Sequence, residues 1–382
     1  MFENSYIKYI GADDHDLDLF ESQYPLAHGV SYNSYVILDE KTVVMDTIDM
    51  RKTEEWLKNL EKALNGRTAD YLVISHMEPD HAANIQKLCA MYPDLKLVAT
   101  MQTFNMLPNF FDIDRLAERK IVVKEAQTLP IGKNTLQFYM APMVHWPEVM
   151  MTYVPEEKLL FSADAFGKFG TIDHDDDWVS EARRYYANIV GKYGVQVQNT
   201  LKKLAGLDVE TICPLHGPIL TDDLGRYLDL YNKWSSYMPE EDGVLIACAS
   251  IYGHTEQACE KLADLLKEQG KKVEFVNLNR VPVSEAIGLA FKYSSLVLAA
   301  SSYDAAVFPS MELFLLELSH KNFQNRKIAL MENGSWAPTA AKTMMKYIEQ
   351  MKNITLIEPV ITLKSRMNAQ NEEQMKDLAE QL

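Results

Sequence analysis

Side chains that bind metal ions are concentrated in one short run of this chain, directly after an apolar segment. The segment Tyr71–Ile74 has the composition of a buried strand. The candidate ligands in the seven residues that follow are His76, Glu78, Asp80 and His81. Four ligands so close along the chain cannot all face one ion, but a strand that opens into a loop can divide them between two ions. The run therefore predicts a paired metal site at the end of a buried strand.

Three further candidate ligands, His145, Asp164 and His216, each follow an apolar run in a loop-like context. Loops at the edge of a sheet collect functional side chains on a rigid scaffold. An isolated His is more often structural than functional, but seven candidates in such contexts favour a metal centre. Imidazole accommodates zinc, copper or iron, whereas carboxylate oxygens shift the preference toward iron or manganese.

The first part of the chain, to about residue 240, mixes strand and helix patterns. The patterns predict a hairpin over 35–46, a helix over 51–64, strands over 134–162, a long helix over 180–206, a strand over 209–213 and a helix over 223–237. Residues 238–243, rich in Pro, Gly and acids, are the predicted domain boundary.

Beyond that boundary the pattern changes to regular alternation of strands and helices. Strands are predicted at 244–249, 272–277, 295–300, 326–331 and 354–357, and a last helix at 371–382. Such alternation is typical of a parallel sheet with helices on both faces.

The ligand series His-x-Glu-x-Asp-His, His, Asp, His resembles the metallo-β-lactamase-type domain of the flavodiiron proteins. Hydrolytic members of that superfamily usually have His where this chain has Glu78. The resemblance implies two non-heme iron ions. His76, Glu78 and His145 would hold one iron, Asp80, His81 and His216 the other, and Asp164 would bridge them.

A second motif follows the predicted strand 244–249. The turn Ser250–Thr255 is rich in hydroxyls and leads into a helix, whose N-terminal N–H groups and dipole favour a phosphate. The turn lacks the Lys of a nucleoside-triphosphate loop, so a single phosphate fits better. It is similar to the phosphate loop of flavodoxins, which bind FMN.

Two more loops follow strands at the edge where flavodoxins bind the flavin ring. The predicted FMN residues are Ser250, Ile251, Tyr252, Gly253, His254 and Thr255 in the first loop, Ser301, Ser302, Tyr303, Asp304 and Ala305 in the second, and Asn333, Gly334, Ser335 and Trp336 in the third. Tyr303 and Trp336 could stack on the ring, with core packing as the alternative.

The resemblance to flavodiiron proteins covers nearly the whole chain. It implies an α/β protein with a metallo-β-lactamase-like αββα sandwich in residues 1–240 and a flavodoxin-like, doubly wound parallel sheet in 243–382. It further implies an oxidoreductase that reduces dioxygen to water, nitric oxide to nitrous oxide, or both. Electrons would come from rubredoxin or a rubredoxin-linked reductase. The family also implies a head-to-tail homodimer, which could pair into a tetramer.

Two residues are candidates for a catalytic role near the irons. His28 lies in a loop region that approaches the metals in relatives. Tyr193 could place a phenol near one iron, although relatives often have Pro-Phe-Ser where this chain has Lys192-Tyr193-Gly194.

Composition limits the other possibilities. A formal charge of -16 argues against nucleic acid, whose phosphates demand Lys and Arg. The sequence shows no signal peptide, no membrane-spanning stretch and no paired-cysteine motif, so we expect a cytoplasmic protein.

Two other functions remain open at this level. One is a dinuclear metal-dependent hydrolase with an accessory flavin domain, in which a metal-bound hydroxide attacks an ester, lactam or phosphodiester. The other is an electron carrier with an inactive metal domain. Two zinc ions without flavin would favour the hydrolase, and flavin without iron would favour the carrier.

Overall fold

The computed structural model describes residues 4–174 and 177–382. The chain forms two compact units, one made of Met1–Ala182 and Val195–Asn232 and the other of Arg183–Gly194 and Lys233–Leu382. Arg183–Gly194 thus belongs to the second unit although it lies well before the predicted boundary. The boundary near residue 240 stays a prediction.

The first unit is built mainly from short strands. These strands are β1 (Ile7–Tyr9), β2 (Ala12–Asp14), β3 (Leu19–Phe20), β4 (Tyr24–Pro25), β5 (Val30–Tyr32), β6 (Tyr35–Leu38), β7 (Thr42–Met45), β8 (Tyr71–Val73), β9 (Lys96–Ala99), β10 (Lys120–Val122), β11 (Thr128–Pro130), β12 (Thr135–Met140), β13 (Met150–Val154), β14 (Leu159–Phe161) and β15 (Thr211–Cys213). The helices up to residue 235 are α1 (Thr53–Leu64), α2 (Pro79–Ala82), α3 (Ile85–Met91), α4 (Met101–Met106), α5 (Leu116–Arg119), α6 (Trp178–Tyr185), α7 (Gly194–Leu204) and α8 (Leu224–Ser235).

Two sheets of this unit enclose one core. The first has the order β1-β6-β7-β8-β9-β10 and the second β11-β12-β13-β14-β15. Ile37 and Val73 from the first sheet share a buried cluster with Phe138 and Leu159 from the second. Helix α1 buries Trp56, Leu60 and Leu64, a spacing of four that gives the helix one apolar face.

Strand direction decides where the candidate ligands emerge. Strands β7, β8 and β9 are parallel neighbours. In the second sheet β14 and β15 are parallel, and β12 has the same direction as β14 because both are antiparallel to β13. The loops after β12, β14 and β15 therefore leave the second sheet at a common edge.

The long helix predicted over 180–206 is interrupted. After α6 the chain forms a π-helix at Tyr186–Val190 and a 3₁₀-helix at Gly191–Tyr193 before α7 begins. The two glycines of this segment lower helix propensity. A Cβ on Gly194 would lie 2.3 Å from the Ser235 carbonyl oxygen, so close packing explains that glycine.

The second unit has the alternating pattern that the sequence predicts. Its strands are β16 (Glu241–Ala249), β17 (Val273–Asn277), β18 (Tyr293–Tyr303), β19 (Ala306–Val307), β20 (Gln324–Asn333) and β21 (Lys352–Leu363), and its remaining helices are α9 (His254–Glu268), α10 (Val283–Lys292), α11 (Pro309–His320), α12 (Ala340–Ile348) and α13 (Ala369–Gln381).

The main sheet of this unit has the order β17-β16-β18-β20-β21, and all its neighbours are parallel. This is the flavodoxin-type order 2-1-3-4-5. Residues 244–249 are buried throughout, as expected for a parallel strand covered on both faces. The predicted fold class is confirmed. Among the described residues, no helix is both long and apolar enough to cross a membrane.

Candidate functional site

All seven candidate metal ligands lie together at the edge where the strands of the first unit end. The loop after β8 and helix α2 carry His76, Glu78, Asp80 and His81, and the loops after β12, β14 and β15 carry His145, Asp164 and His216. Pro79 is the first residue of α2, a position that suits its fixed φ. Asp46, at the end of β7, accepts a hydrogen bond of 2.7 Å from the Ser75 N–H and so holds the start of the ligand loop.

His76, Glu78, His145 and Asp164 form a first group of donor atoms. His145 Nε2 lies 3.0 Å from Glu78 Oε2 and 3.1 Å from Asp164 Oδ2. His76 Nε2 lies 3.2 Å from the same Glu78 oxygen and 3.3 Å from Asp164 Oδ2. Two imidazole nitrogens and two carboxylate oxygens therefore converge on one point.

Asp80, His81 and His216 form a second group. The Nε2 atoms of His81 and His216 lie 3.0 Å apart. They lie 3.3 and 3.2 Å from Asp80 Oδ2. The other oxygen of Asp164, Oδ1, is 3.2 Å from His81 Nε2 and 3.8 Å from His216 Nε2. Asp164 thus directs one oxygen toward each group.

These distances fit a pair of metal ions. Ligands about 2.1 Å from a common ion are about 3.0–3.4 Å from one another in tetrahedral or octahedral geometry. Both oxygens of Asp164 and of Asp80, and Nε2 of His145, are buried without a hydrogen-bond partner among the described residues. Buried polar groups in proteins are otherwise almost always paired. The donor set therefore fits two adjacent cations.

The electrostatics of the cluster agree with this reading. Burial would lower the pKa of His145, but the carboxylates of Asp164 and Glu78 raise it to about 9. Burial would raise the pKa of Asp164, but the surrounding imidazoles, His76 foremost, lower it well below its ordinary value. Cations in the cluster would take the place of the protons that these carboxylates attract.

The second unit has a cavity of about 340 Å³ at the carboxyl ends of its strands. Of the fifteen predicted FMN residues, all except Gly253 line it, and the lining also includes Ala337, Thr339 and Ser365, which were not predicted as binding residues. Strands β18 and β20 continue to Tyr303 and Asn333, so part of the two later predicted loops belongs to strand ends.

The structure of this cavity suits a phosphate and an aromatic ring. Gly253 precedes α9 with φ +91°, and among the described residues no side chain caps the helix. The first-turn N–H groups of α9 are thus available to an anion. The Thr255 hydroxyl lies 3.1 Å from that of Ser301, while Tyr252 and Trp336 are 92% and 93% exposed.

Comparison with known proteins finds the same architecture. The family described as ODP family beta lactamase matches residues 30–217. An anaerobic nitric oxide reductase flavorubredoxin of Pectobacterium atrosepticum is 29% identical over 345 residues, which are 86% of this chain and 67% of that protein. Its Escherichia coli counterpart is 28% identical over 344 residues, 87% of this chain and 71% of that protein.

Solved structures match over nearly the full length. Rubredoxin oxygen:oxidoreductase from Desulfovibrio gigas has a TM-score of 0.91 at 25% identity and covers 100% of this chain and 96% of its own. The flavodiiron protein from Giardia intestinalis has a TM-score of 0.91 at 23% identity, with 98% and 94% covered.

The relatives and solved structures that this chain resembles are flavorubredoxins and flavodiiron proteins. The chain is accordingly an oxidoreductase with a metallo-β-lactamase-like unit and a flavodoxin-like unit.

Two residues that orient histidines of the donor cluster were missed from sequence. Glu148 is buried, and its Oε1 accepts hydrogen bonds of 2.8 Å from His76 Nδ1 and from the Met77 N–H. His216 Nδ1 donates to the Ser31 carbonyl oxygen at 2.7 Å. With Nδ1 engaged, each ring presents Nε2 to the cluster. Glu148 lies three residues after His145, and only its proximity to a ligand could have drawn attention to it.

A small pocket of about 170 Å³ opens over the cluster. The tip of the β3–β4 hairpin, with Phe20 and Glu21, forms one side, and Tyr32, Glu78 and Asp80 lie opposite. Burial and the neighbouring Glu78 carboxylate raise the pKa of Glu21 to about 7. Nothing in the sequence pattern pointed to Glu21.

The two predicted catalytic residues belong to different units. The ring of His28 is exposed and stacks on His174, with centroids 3.6 Å apart. Tyr193 ends the 3₁₀-helix in the second unit, whereas the ligands belong to the first. The catalytic role of both residues stays a prediction.

A third set of potential ligands lies on the surface. His15 Nε2 is 3.4 Å from Asp173 Oδ2, with side chains 57% and 62% exposed, and Asp13 is adjacent. Such solvated ion pairs contribute about 0–1 kcal/mol to stability.

Proposed function

We propose that this chain is a flavodiiron protein, which reduces dioxygen to water, nitric oxide to nitrous oxide, or both, at a diiron site supplied with electrons by FMN. The observation that carries the proposal is the Asp164 carboxylate, whose two oxygens each face a separate group of His and carboxylate donors. A bridged pair of redox-active ions would provide the electrons and hold both substrate atoms.

We assign His76, Glu78 and His145 to one iron, Asp80, His81 and His216 to the other, and Asp164 to both. Three carboxylates offset most of the charge of two divalent ions, which makes oxidation to the ferric state less costly than in an all-imidazole site. Hard oxygen ligands also favour iron or manganese over zinc. Glu78 therefore supports redox chemistry over hydrolysis.

FMN fits the cavity of the second unit. The hydroxyls of Ser250 and Thr255 and the N-terminus of α9 would hold the phosphate, and the exposed rings of Tyr303 and Trp336 would cover the isoalloxazine. The donor of electrons would be a rubredoxin or a reductase linked to it, as the names of the relatives suggest.

The size of the pocket over the cluster supports a diatomic substrate. Its volume of about 170 Å³ is below the roughly 300–1,000 Å³ of sites for drug-sized ligands. A drug-sized ester or lactam exceeds this volume, whereas dioxygen or two nitric oxide molecules fit within it.

We further propose that the protein works in the cytoplasm as a head-to-tail homodimer, two of which could pair into a tetramer. The dimer is supported by the family resemblance, in which one subunit's flavin serves the partner's irons. The compartment is supported by four buried cysteines that form no disulfide, as is usual in reducing compartments.

The test is anaerobic turnover with reduced rubredoxin and each gas in turn. We expect about one FMN and two irons per subunit and consumption of at least one gas. Asp164→Asn should reduce both iron retention and turnover. A protein that contains two zinc ions, or iron and FMN without turnover of either gas, would contradict the proposal.

A further inference from the structure

We propose that the Tyr32 hydroxyl, positioned by Arg51, is the hydrogen-bond donor that orients a diatomic substrate or small anion in the pocket over the metal cluster. The inference deepens the proposed function and rests on it for the identity of the substrate. Tyr32 was not among the residues predicted from the sequence.

The pocket places Tyr32 beside the second group of ligands. Its lining includes Tyr32 together with Glu78 and Asp80. The Tyr32 ring meets the His216 ring edge-on, with centroids 6.1 Å apart. The phenol is thus at the border between the metal-binding side chains and the space above them.

Arg51 fixes the orientation of the phenol. Its Nη2 donates to the Tyr32 oxygen at 3.2 Å. The guanidinium is itself held by Asp49, at 3.0 and 3.1 Å, and lies 3.5 Å from Asp14. A tyrosine hydroxyl has one proton to donate. Because its oxygen already accepts from Arg51, the proton of Tyr32 is left to point away from Arg51.

The other polar groups of the pocket are unsuited to this role. Asp49, Glu78 and Asp80 are carboxyl groups, which accept hydrogen bonds when ionised. Glu21 lies on the hairpin, and its Oε2 accepts a hydrogen bond from the Gln23 side chain at 3.0 Å. Ser22, which also lines the pocket, is exposed at the tip of the hairpin. Arg51 also lines the pocket, but its Nε and Nη2 already donate to Asp49 and to the Tyr32 oxygen. Among the described lining residues, Tyr32 is therefore the buried neutral donor.

A donor at this position has a chemical purpose. Dioxygen and nitric oxide gain negative charge as they are reduced, and the carboxylates that line the pocket beside Arg51 oppose that charge. A fixed donor aimed at the place where charge develops lowers the barrier, because it needs no reorganisation during the reaction.

The experiment compares Tyr32→Phe with Tyr153→Phe in the iron- and FMN-loaded protein. Tyr153 is a matched control because its buried ring lies in the same unit and its hydroxyl donates to the Asp208 carbonyl oxygen at 2.8 Å, outside the pocket lining. Azide, a small anion that fits the pocket, is titrated into the oxidised protein, and iron and flavin contents are measured in parallel.

We expect Tyr32→Phe to weaken azide binding about tenfold or more, the effect of losing a hydrogen bond to a charged group. It should also lower kcat/KM for the gas, with iron and flavin contents unchanged. Tyr153→Phe should match the wild type. Arg51 acts through Tyr32. As a single substitution, Arg51→Gln should therefore weaken azide binding, but in the Tyr32→Phe background it should have no further effect.

Unchanged azide affinity in Tyr32→Phe, or no azide binding by the wild type, overturns the inference. Additive effects of the two substitutions overturn the positioning role of Arg51. If the wild type binds azide through Tyr32 but turns over neither gas, the proposed function fails while the donor assignment stands. The two failures are therefore distinguishable.

Discussion

Replacing Glu148 with Gln should weaken the binding of one metal ion of the pair and leave the binding of the other unchanged. Glu148 contacts the first group alone, through the 2.8 Å hydrogen bond from His76 Nδ1. His216, in the second group, is oriented separately by the Ser31 carbonyl. Gln keeps an acceptor oxygen for His76 but loses the charge that strengthens the bond.

The magnitude follows from two effects. Loss of a carboxylate that orients a metal-bound His lowers metal affinity about 10–100-fold, or about 1.4–2.7 kcal/mol. In addition, Glu148 Oε2 is buried without a hydrogen-bond partner among the described residues. The amide NH₂ of Gln at that position would be an unsatisfied donor, which costs about 1–3 kcal/mol of folding stability.

The assay is competition with a chelator, followed by measurement of iron per subunit. Glu148→Gln should pass through a plateau near one iron per subunit, whereas the wild type should release both irons at a higher chelator concentration. Glu156→Gln is the matched control, because Glu156 is exposed and its carboxylate accepts only a peripheral bond from the Thr135 N–H among the contacts described. Equal loss of both irons, or no loss, would refute the separate orientation of the two groups.

Three other predictions concern the metal site, the flavin site and the thiols. The apoprotein should release protons when iron binds at pH 7, because the pKa of His145 is raised to about 9. Iron affinity should therefore fall as pH decreases from 9. Calorimetry in buffers of different ionisation enthalpy should show that His145→Gln releases fewer protons than the wild type when iron binds. Trp336→Ala should leave the melting temperature unchanged, because the side chain is 93% exposed. It should weaken FMN binding about 2–10-fold through lost stacking, as measured by flavin fluorescence. An unchanged FMN affinity would exclude the stacking role. The four cysteines are all buried, and burial raises the pKa of the Cys213 thiol. A thiol reagent should therefore modify the cysteines only after unfolding. Rapid labelling of the native protein would contradict their burial.

The sequence was sufficient to predict many of the elements and the residues of the cluster, because both depend on local pattern. The strand Tyr71–Val73 is an apolar run, and the ligands after it are polar residues in a loop. The parallel sheet of the second unit followed from regular alternation of strands and helices. Each feature is encoded by residues close together in the chain.

Tertiary contacts explain what the sequence did not predict. Glu148 is recognisable only through its hydrogen bond to His76, 72 positions away. Tyr32 and Arg51 come together by folding, and their identities alone do not mark a pocket. The interruption of the helix after Tyr185 depends in part on the packing of Gly194 against Ser235, which no periodicity reveals.

The most direct test of the account is anomalous X-ray diffraction at the iron edge from crystals of the loaded protein. We predict two iron peaks per subunit, about 3.5–4 Å apart as in other dinuclear sites, one on each side of the Asp164 carboxylate. A single peak, or peaks that respond at the zinc edge and not at the iron edge, would contradict the diiron assignment.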